Sequence, residues 1–286
     1  MGAFGYTKDG FKFRKNLFNP NIEVIALTSS RIEDCIDYIK KNNIKGVEIN
    51  DCYGSYKLDN LDVLEKLIDS NIKVIELIND YKDISILNKF TSLEQLQISV
   101  NKTSIIDFKN FPNLKYLSLD DTKNLINVDK AILLESLAIG MLNKNSKIDF
   151  SKLVNLKDLH IVKGNIENLD FLKNLNIEKL SISYCSKLID ITSLVTLKNT
   201  LADLSFQNCK NIENIDVLGE LENLYWLKLS ALGEIKSLLF IKKIKSLRKI
   251  SFVDTNILDG NLSYCKGLES VGFLDKKHYS HKNSEF

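Results

Sequence analysis

The sequence predicts an α/β solenoid in which about twelve short parallel strands form one concave sheet and helical or 3₁₀ segments run along the convex side. Two observations carry this. The spacing LxxLxLxx recurs twelve times between Ile22 and Lys276, most plainly at Leu93, Leu96 and Ile98, at Leu156, Leu159 and Ile161, and at Leu224, Leu227 and Leu229. Measured at the central aliphatic residue (Ile25, Val47, Ile75, Leu96, Leu117, Leu137, Leu159, Leu180, Leu204, Leu227, Ile250, Val271), the step is 20 to 24 residues with one exception of 28. That is the period of stacked units that bury a hydrophobic face only against their neighbours. Within each copy the pattern x-L-x-L-x alternates, so two aliphatic residues point inward and the intervening ones point out of the sheet.

Ahead of the first repeat, Phe4, Tyr6, Phe11 and Phe13 flank Asp9-Gly10, a dipeptide suited to the type I′ turn of a two-residue hairpin. Residues 1–20 are therefore read as an aromatic hairpin cap, 21–276 as the solenoid, and 277–286 as a polar tail that frays, having no aliphatic side chain. In the first convex segment Ser30-Arg31-Ile32-Glu33 has the form of a capping box. Ile32, Cys35, Ile36 and Ile39 follow at helical spacing, which predicts an α-helix. Leu61, Leu64, Leu67 and Ile68 repeat the pattern, whereas later segments such as 170–175 have room only for a 3₁₀ turn or a short helix. About ten residues after each of several strands an aliphatic residue precedes an aspartate, at Asp107, Asp129, Asp149, Asp170, Asp190 and Asp216. A short carboxylate there accepts hydrogen bonds from free backbone N–H groups and starts a helical turn.

Acids and bases nearly cancel at a net charge of +2, so there is no bulk electrostatic reason to bind nucleic acid or an anionic membrane surface. Of 39 basic residues only Arg14, Arg31 and Arg248 are arginine, the side chain whose planar fork grips phosphate. No window reaches the ~20 apolar residues of a membrane span, and residues 1–10 lack the basic and apolar stretches of a signal peptide. A cytoplasmic monomer is expected. Three of five cysteines, Cys52, Cys185 and Cys209, fall three residues after the second inward residue of a strand and read as reduced packing residues.

Written out, the repeat is LxxLxLxxC/TxxLxxIDxLxxLxx, followed throughout by Leu201, Leu204, Phe206, Cys209, Ile212, Ile215, Asp216, Leu218, Leu221 and Leu224. This resembles the leucine-rich repeat superfamily, in its short 22-residue class typified by bacterial internalins. The resemblance extends over nearly the whole chain and implies a right-handed horseshoe or arc whose concave sheet binds other proteins. A composition rich in lysine, asparagine and isoleucine resembles proteins of AT-rich bacterial genomes. The chain departs from secreted internalins in lacking a signal peptide, an appended immunoglobulin-like domain and a wall-anchoring motif, which weighs against host adhesion.

No glycine-rich phosphate loop, zinc-ligand spacing or nucleophile elbow occurs, so no cofactor, metal or catalytic residue is assigned and no enzymatic activity is expected. His278-x-x-His281 lies in the polar tail, and Asp120-Asp121 reads as a solvated strand end. The candidate protein-binding face consists of outward positions: Tyr116, Asp120, Asp158, His160, Lys179, Tyr184, Asp203, Gln207, Trp226, Lys228 and Lys249. Trp226 is the only tryptophan, and a tryptophan beside tyrosine and charge is a common interface anchor. Ser118, Ala138, Ser181, Ser205 and Ser251 leave room for a partner to approach the backbone. Acids (Glu48, Asp51, Glu76, Asp120, Asp121) gather early and lysines (Lys179, Lys228, Lys249) late, which predicts a dipolar face that orients a partner. The expected function is a non-enzymatic protein-protein interaction scaffold of a bacterial cytoplasm. One version is an immunity or antitoxin-type protein occluding its partner, and the alternative is a secreted effector or adaptor.

Overall fold

The computed structural model describes residues 5–51, 56–101, 103–142, 146 and 148–286. Among them the main sheet carries fourteen strands in chain order. Twelve come from the repeats, and two form a hairpin ahead of them. The chain divides into two compact units, Met1–Leu137 with Lys147–Leu153 and Ala138–Ser146 with Val154–Phe286.

The N-terminal unit opens on the antiparallel strands Tyr6–Lys8 and Phe11–Lys15. Asp9 and Gly10 between them both have positive φ, 52° and 79°, as a type I′ turn demands. Phe13 then lies opposite Ile25 on the strand Glu23–Ala26. The buried rings of Phe11 and Phe13 pack on Tyr38 at 4.8 Å and 6.0 Å, while Phe4 lies outside the described residues. From Glu23–Ala26 onward the pairing is parallel. Ile25, Val47, Ile75, Leu96 and Leu117 are register partners in succession, so the leucine spacing reads out the register directly.

Among the described residues one segment, Ile32–Asn42, is α-helical. It buries Cys35, Ile36 and Ile39, carries Glu33 and Asp34 in its first turn and Lys40 and Lys41 in its last, and so complements its own dipole. It ends on left-handed Asn43. The capping box does not form. Ser29–Arg31 makes a 3₁₀ turn that runs into the helix, leaving Arg31 at the N-cap and Ser30 too early to cap. The next convex segment, Asp62–Ser70, is a 3₁₀ helix. Leu61, Leu64 and Leu67 explain it, since residues three apart fall on one side of a helix with three residues per turn, and all three are buried.

In the C-terminal unit Leu159, Leu180, Leu204, Leu227, Ile250 and Val271 continue the register. Just past the strands, Met141, Lys163, Tyr184, Asn208, Ala231 and Asp254 all adopt left-handed backbone, φ 51° to 58°. The N–H groups of Met141, Lys163, Tyr184, Asn208 and Ala231 each donate to a carbonyl at or just past the end of the next strand, at 2.8 to 3.0 Å. That ladder offsets the cost of about 1 kcal/mol that a residue with a Cβ meets in this conformation. Cys185 and Cys209 follow and are buried free thiols, Cys185 Sγ accepting the Gly164 N–H at 3.2 Å. Cys52 lies outside the described residues.

The convex aspartates divide. Asp107, Asp149 and Asp190 accept the N–H two residues on, at 3.0, 3.1 and 2.8 Å. At the fourth turn Asn168 does this instead, accepting the Asp170 N–H at 3.1 Å, and Asp170 binds Ser193 and Lys173. Asp129 and Asp216 lie within their turns and do not cap them. Bonds from Ser151 hold the Asp149 carboxyl below its ordinary value, as Thr192 does for Asp190 and Ser193 for Asp170. At Asp107 burial pushes the other way and is outweighed by bonds from Asn127 and the Lys109 N–H.

The tail does not fray. The Tyr279 hydroxyl accepts the Ile257 N–H at 3.1 Å and donates to the Thr255 carbonyl at 3.2 Å, and its ring packs edge-on against Phe252 and Phe273. The Ser280 N–H donates to the Gly260 carbonyl at 2.8 Å, and Phe286 packs on Phe273. Asn283 Nδ2 donates to the Val271 carbonyl at 3.2 Å, along the outer edge of the last strand. Two aromatic rings do here what aliphatic residues do elsewhere in the chain, and the segment closes the last repeat and its strand edge.

Candidate protein-binding face

Five strands of the C-terminal unit set the geometry: Asp158–Val162, Lys179–Ser183, Asp203–Gln207, Trp226–Ser230 and Lys249–Ser251. They pair in parallel without offset, so outward residues line up in rows across them. One row runs Asp158, Lys179, Asp203, Trp226, Lys249, and the next runs His160, Ser181, Ser205, Lys228, Ser251. Gln207 stands in a third row between Ser183 and Ser230. Neighbours within a row are one strand spacing, ~4.8 Å, apart.

Most of these side chains engage one another. His160 Nε2 lies 2.8 Å from Asp158 Oδ1 but is not aligned for a hydrogen bond. Lys228 Nζ meets Asp203 at 3.2 Å and 3.4 Å and also stands 3.4 Å above the centroid of the Trp226 ring. Lys249 Nζ lies 5.8 Å from that ring and 5.5 Å from the ring of Tyr225. Trp226 is 37% exposed and Tyr225 40%. Tyr225 donates its hydroxyl to Glu269 at 2.9 Å. It precedes the outward frame by one residue, which hides it from the repeat pattern, although its place beside the single tryptophan is a usable signal.

Tyr184 is not in these rows. The alternation ends at Ser183, and Tyr184 occupies the left-handed position after the strand, 49% exposed at the rim.

Tyr116 and Asp120 belong to the N-terminal unit, whose face is arranged differently. Tyr116 is half-buried under the ring of Phe18, stacked at 4.4 Å. Burial, and after it the carboxylate of Glu135, pushes its phenol up. Asp120 is exposed just past the strand Tyr116–Leu119, and Asp121 accepts the Lys123 N–H at 3.0 Å as a turn former. Phe18 belongs to the loop 16–22, which crosses the sheet face. Asn16 Nδ2 donates to Gln95 Oε1 at 2.8 Å, Gln95 Nε2 donates to Glu76 at 2.9 Å, and the Arg14 guanidinium bridges Glu76 and Glu48, the latter at 3.0 Å. Glu48 and Glu76 are 3% and 4% exposed. Two of the five acids of the expected acidic pole, Glu48 and Glu76, are therefore not presented, because the chain's own N-terminal segment covers both carboxylates and pairs them with Arg14, whereas Asp51 and Asp120 are exposed.

Among the described residues no group of three or more His, Cys, Asp or Glu side chains is placed to hold a metal ion. His278 Nε2 is occupied by the Ile257 carbonyl at 3.0 Å and His281 Nδ1 by Ser280 Oγ at 2.8 Å. Burial pushes the Cys265 thiol up to about 12. No helix among the described residues is long and apolar enough to cross a membrane. In the C-terminal unit the rows combine a charged and aromatic ridge with a shallow line of hydroxyls, a surface suited to contact rather than to enclosure.

No protein-family model matches the chain, and no curated protein does. Solved structures do. An internalin, InlF of Listeria monocytogenes strain 4b F2365, is similar with a TM-score of 0.54 at 21% identity, over 65% of this chain and 57% of that one. TLR13, solved as a complex with ssRNA13, gives a TM-score of 0.51 at 18% identity, over 80% of this chain and 38% of that one. The fold is that of the leucine-rich repeat proteins. The functional domain of InlJ from Listeria monocytogenes gives 0.48 at 17% identity, over 81% and 62%. Each likeness concerns the leucine-rich repeat fold, and the short internalin-like class fits the repeat steps of this chain. The chain spans less than two thirds of the length of each of these proteins.

Proposed function

We propose that this leucine-rich repeat chain is a protein-binding scaffold without enzymatic activity, and that its contact surface is the outward side of the sheet in the C-terminal unit. The observation that carries this is the strip formed by Tyr225, Trp226, Lys228 and Lys249, in which two aromatic rings more than one-third exposed are held by ammonium groups. Held but exposed aromatics beside charge are the composition of interface anchors. The strip is small. Four strand spacings by a five-residue strand give on the order of 300 Å², against ~800 Å² per partner in a standard interface. A partner on this face therefore also contacts the rims, where Tyr184 stands.

The finer reading is an immunity or antitoxin-type protein of a bacterial cytoplasm, which occludes a partner by covering it and needs no chemistry of its own. The alternative is a secreted effector or adaptor. The test uses the full chain and its Tyr184→Ala/Trp226→Ala variant as baits in a native lysate. A protein retained by the first and lost from the second supports the reading, and equal retention contradicts it. A toxin gene beside this one supports the immunity version, and secretion machinery supports the effector.

A further inference from the structure

Resting on that reading of the face, we infer that the C-terminal unit receives an acidic segment of its protein partner, held between Lys179 and Lys249 with Trp226 at its centre. The outward ionic groups on four successive strands are Lys179, Asp203, Lys228 and Lys249, three cations to one anion. Asp203 is already taken by Lys228. The Lys249 ammonium has only ring faces for company, and the exposed ammonium of Lys179 has no hydrogen bond or ion pair among the described residues. Two ammonium groups in no ion pair thus stand three strand spacings apart, roughly 14 Å, the row neighbours of Lys179, which are Asp158 and Asp203, being turned to His160 and Lys228.

Between them, Ser181, Ser205 and Ser251 offer hydroxyls with no partner among the described residues, at a depth that longer side chains would fill. Carboxylates of a partner complete both sets. The lysines supply attraction over distance and the hydroxyls supply donors at the floor, where contact with the Trp226 edge excludes water. Nucleic acid fits less well. The cations are lysines and not the phosphate-gripping arginines, and Lys228 already covers one face of the ring on which a base would stack.

Because Trp226 is the only tryptophan, its emission reports on this strip alone. The full chain is titrated with an oligoglutamate peptide, and separately with an oligolysine peptide and an oligouridylate. Expected is a saturable change with oligoglutamate that fades as salt rises from about 50 to about 300 mM, and none with oligolysine. In Lys179→Glu/Lys249→Glu the apparent affinity falls roughly tenfold or more. In Lys236→Glu/Lys266→Glu, which changes net charge equally but away from the rows, it holds. The inference is overturned by the absence of a response to oligoglutamate, by equal losses in both variants, or by tighter binding of the RNA. If a captured partner is lost from the Tyr184/Trp226 variant but kept by Lys179→Glu/Lys249→Glu, the acidic segment is wrong and the face is right. If it is kept by both, the face is wrong as well.

Discussion

Lys228 Nζ stands 3.4 Å above the Trp226 ring while it meets Asp203 at 3.2 Å, so one ammonium group links an aromatic on its own strand to a carboxylate on the neighbouring strand. The Lys228 and Asp203 side chains are 29% and 28% exposed, and contacts of this kind contribute ~0.5–1 kcal/mol each. The arrangement sets the orientation of the ring more than it stabilises the fold. Lys228→Met is expected to lower stability by no more than about 1 kcal/mol. It should also move Trp226 emission to longer wavelength as the ring face opens to water. Denaturant unfolding followed by fluorescence reads both, and a loss of several kcal/mol would show the face to be core.

The N-terminal unit holds its polar network far from water. Arg14→Met leaves Glu48 and Glu76 buried without their cation, and a cost of ~3–5 kcal/mol is expected. Arg14→Lys recovers only part of it, because a single ammonium cannot reproduce the planar fork that reaches both carboxylates. Thermal unfolding of the two variants makes the comparison, and wild-type stability in Arg14→Met would mean that the loop does not seal this face.

The register was legible because each repeat places two aliphatic residues at a fixed step, and Leu159 to Val271 pair as the spacing says. The hairpin was legible because Asp9-Gly10 suits few other backbones. The loop 16–22 was not. Its hydrogen bond from Asn16 to Gln95 joins residues 79 apart, and nothing periodic marks it. The folded tail was missed for a related reason, since Tyr279 and Phe286 stand irregularly in a polar stretch and only the surfaces of Phe252 and Phe273 give them a place. At the candidate face the rows themselves were legible. What escaped was Tyr225, and the end of the alternation at Ser183 that puts Tyr184 on the rim.

The tail makes a prediction opposite to fraying. Removing residues 277–286 uncovers Phe273 and the edge of Ser270–Gly272, and both a lower melting temperature and concentration-dependent association are expected. Tyr279→Phe isolates the hydroxyl and should cost about 1 kcal/mol. Calorimetry with sedimentation checks the pair, and a truncated chain that melts at the wild-type temperature as a monomer would remove the capping role.

Acid should weaken the convex turns. The Asp83 carboxyl is held low first by the Ser85 N–H and then by Ser104, and Asp107, Asp149 and Asp190 are lowered as well. A carboxyl lowered by folding contributes stability that is fully present above its unfolded value, about pH 4, and lost as pH falls through the lowered value. Melting temperature should therefore drop steeply below about pH 4, and the double variant Asp83→Asn/Asp107→Asn should show a shallower slope there. Identical slopes would mean that these carboxylates do not carry the acid sensitivity.

Calorimetric titration of the captured partner into the wild-type chain and into Tyr184→Ala/Trp226→Ala tests the binding face most directly, with circular dichroism as the control for folding. Exposed side chains at the rim and in the rows contribute little to the core, whereas a central aromatic anchor commonly costs ~2 kcal/mol or more on truncation. The variant is expected to keep its spectrum and lose roughly thirtyfold or more in affinity, the equivalent of that energy. Unchanged affinity in a folded variant would contradict the assignment of the C-terminal sheet face as the contact surface.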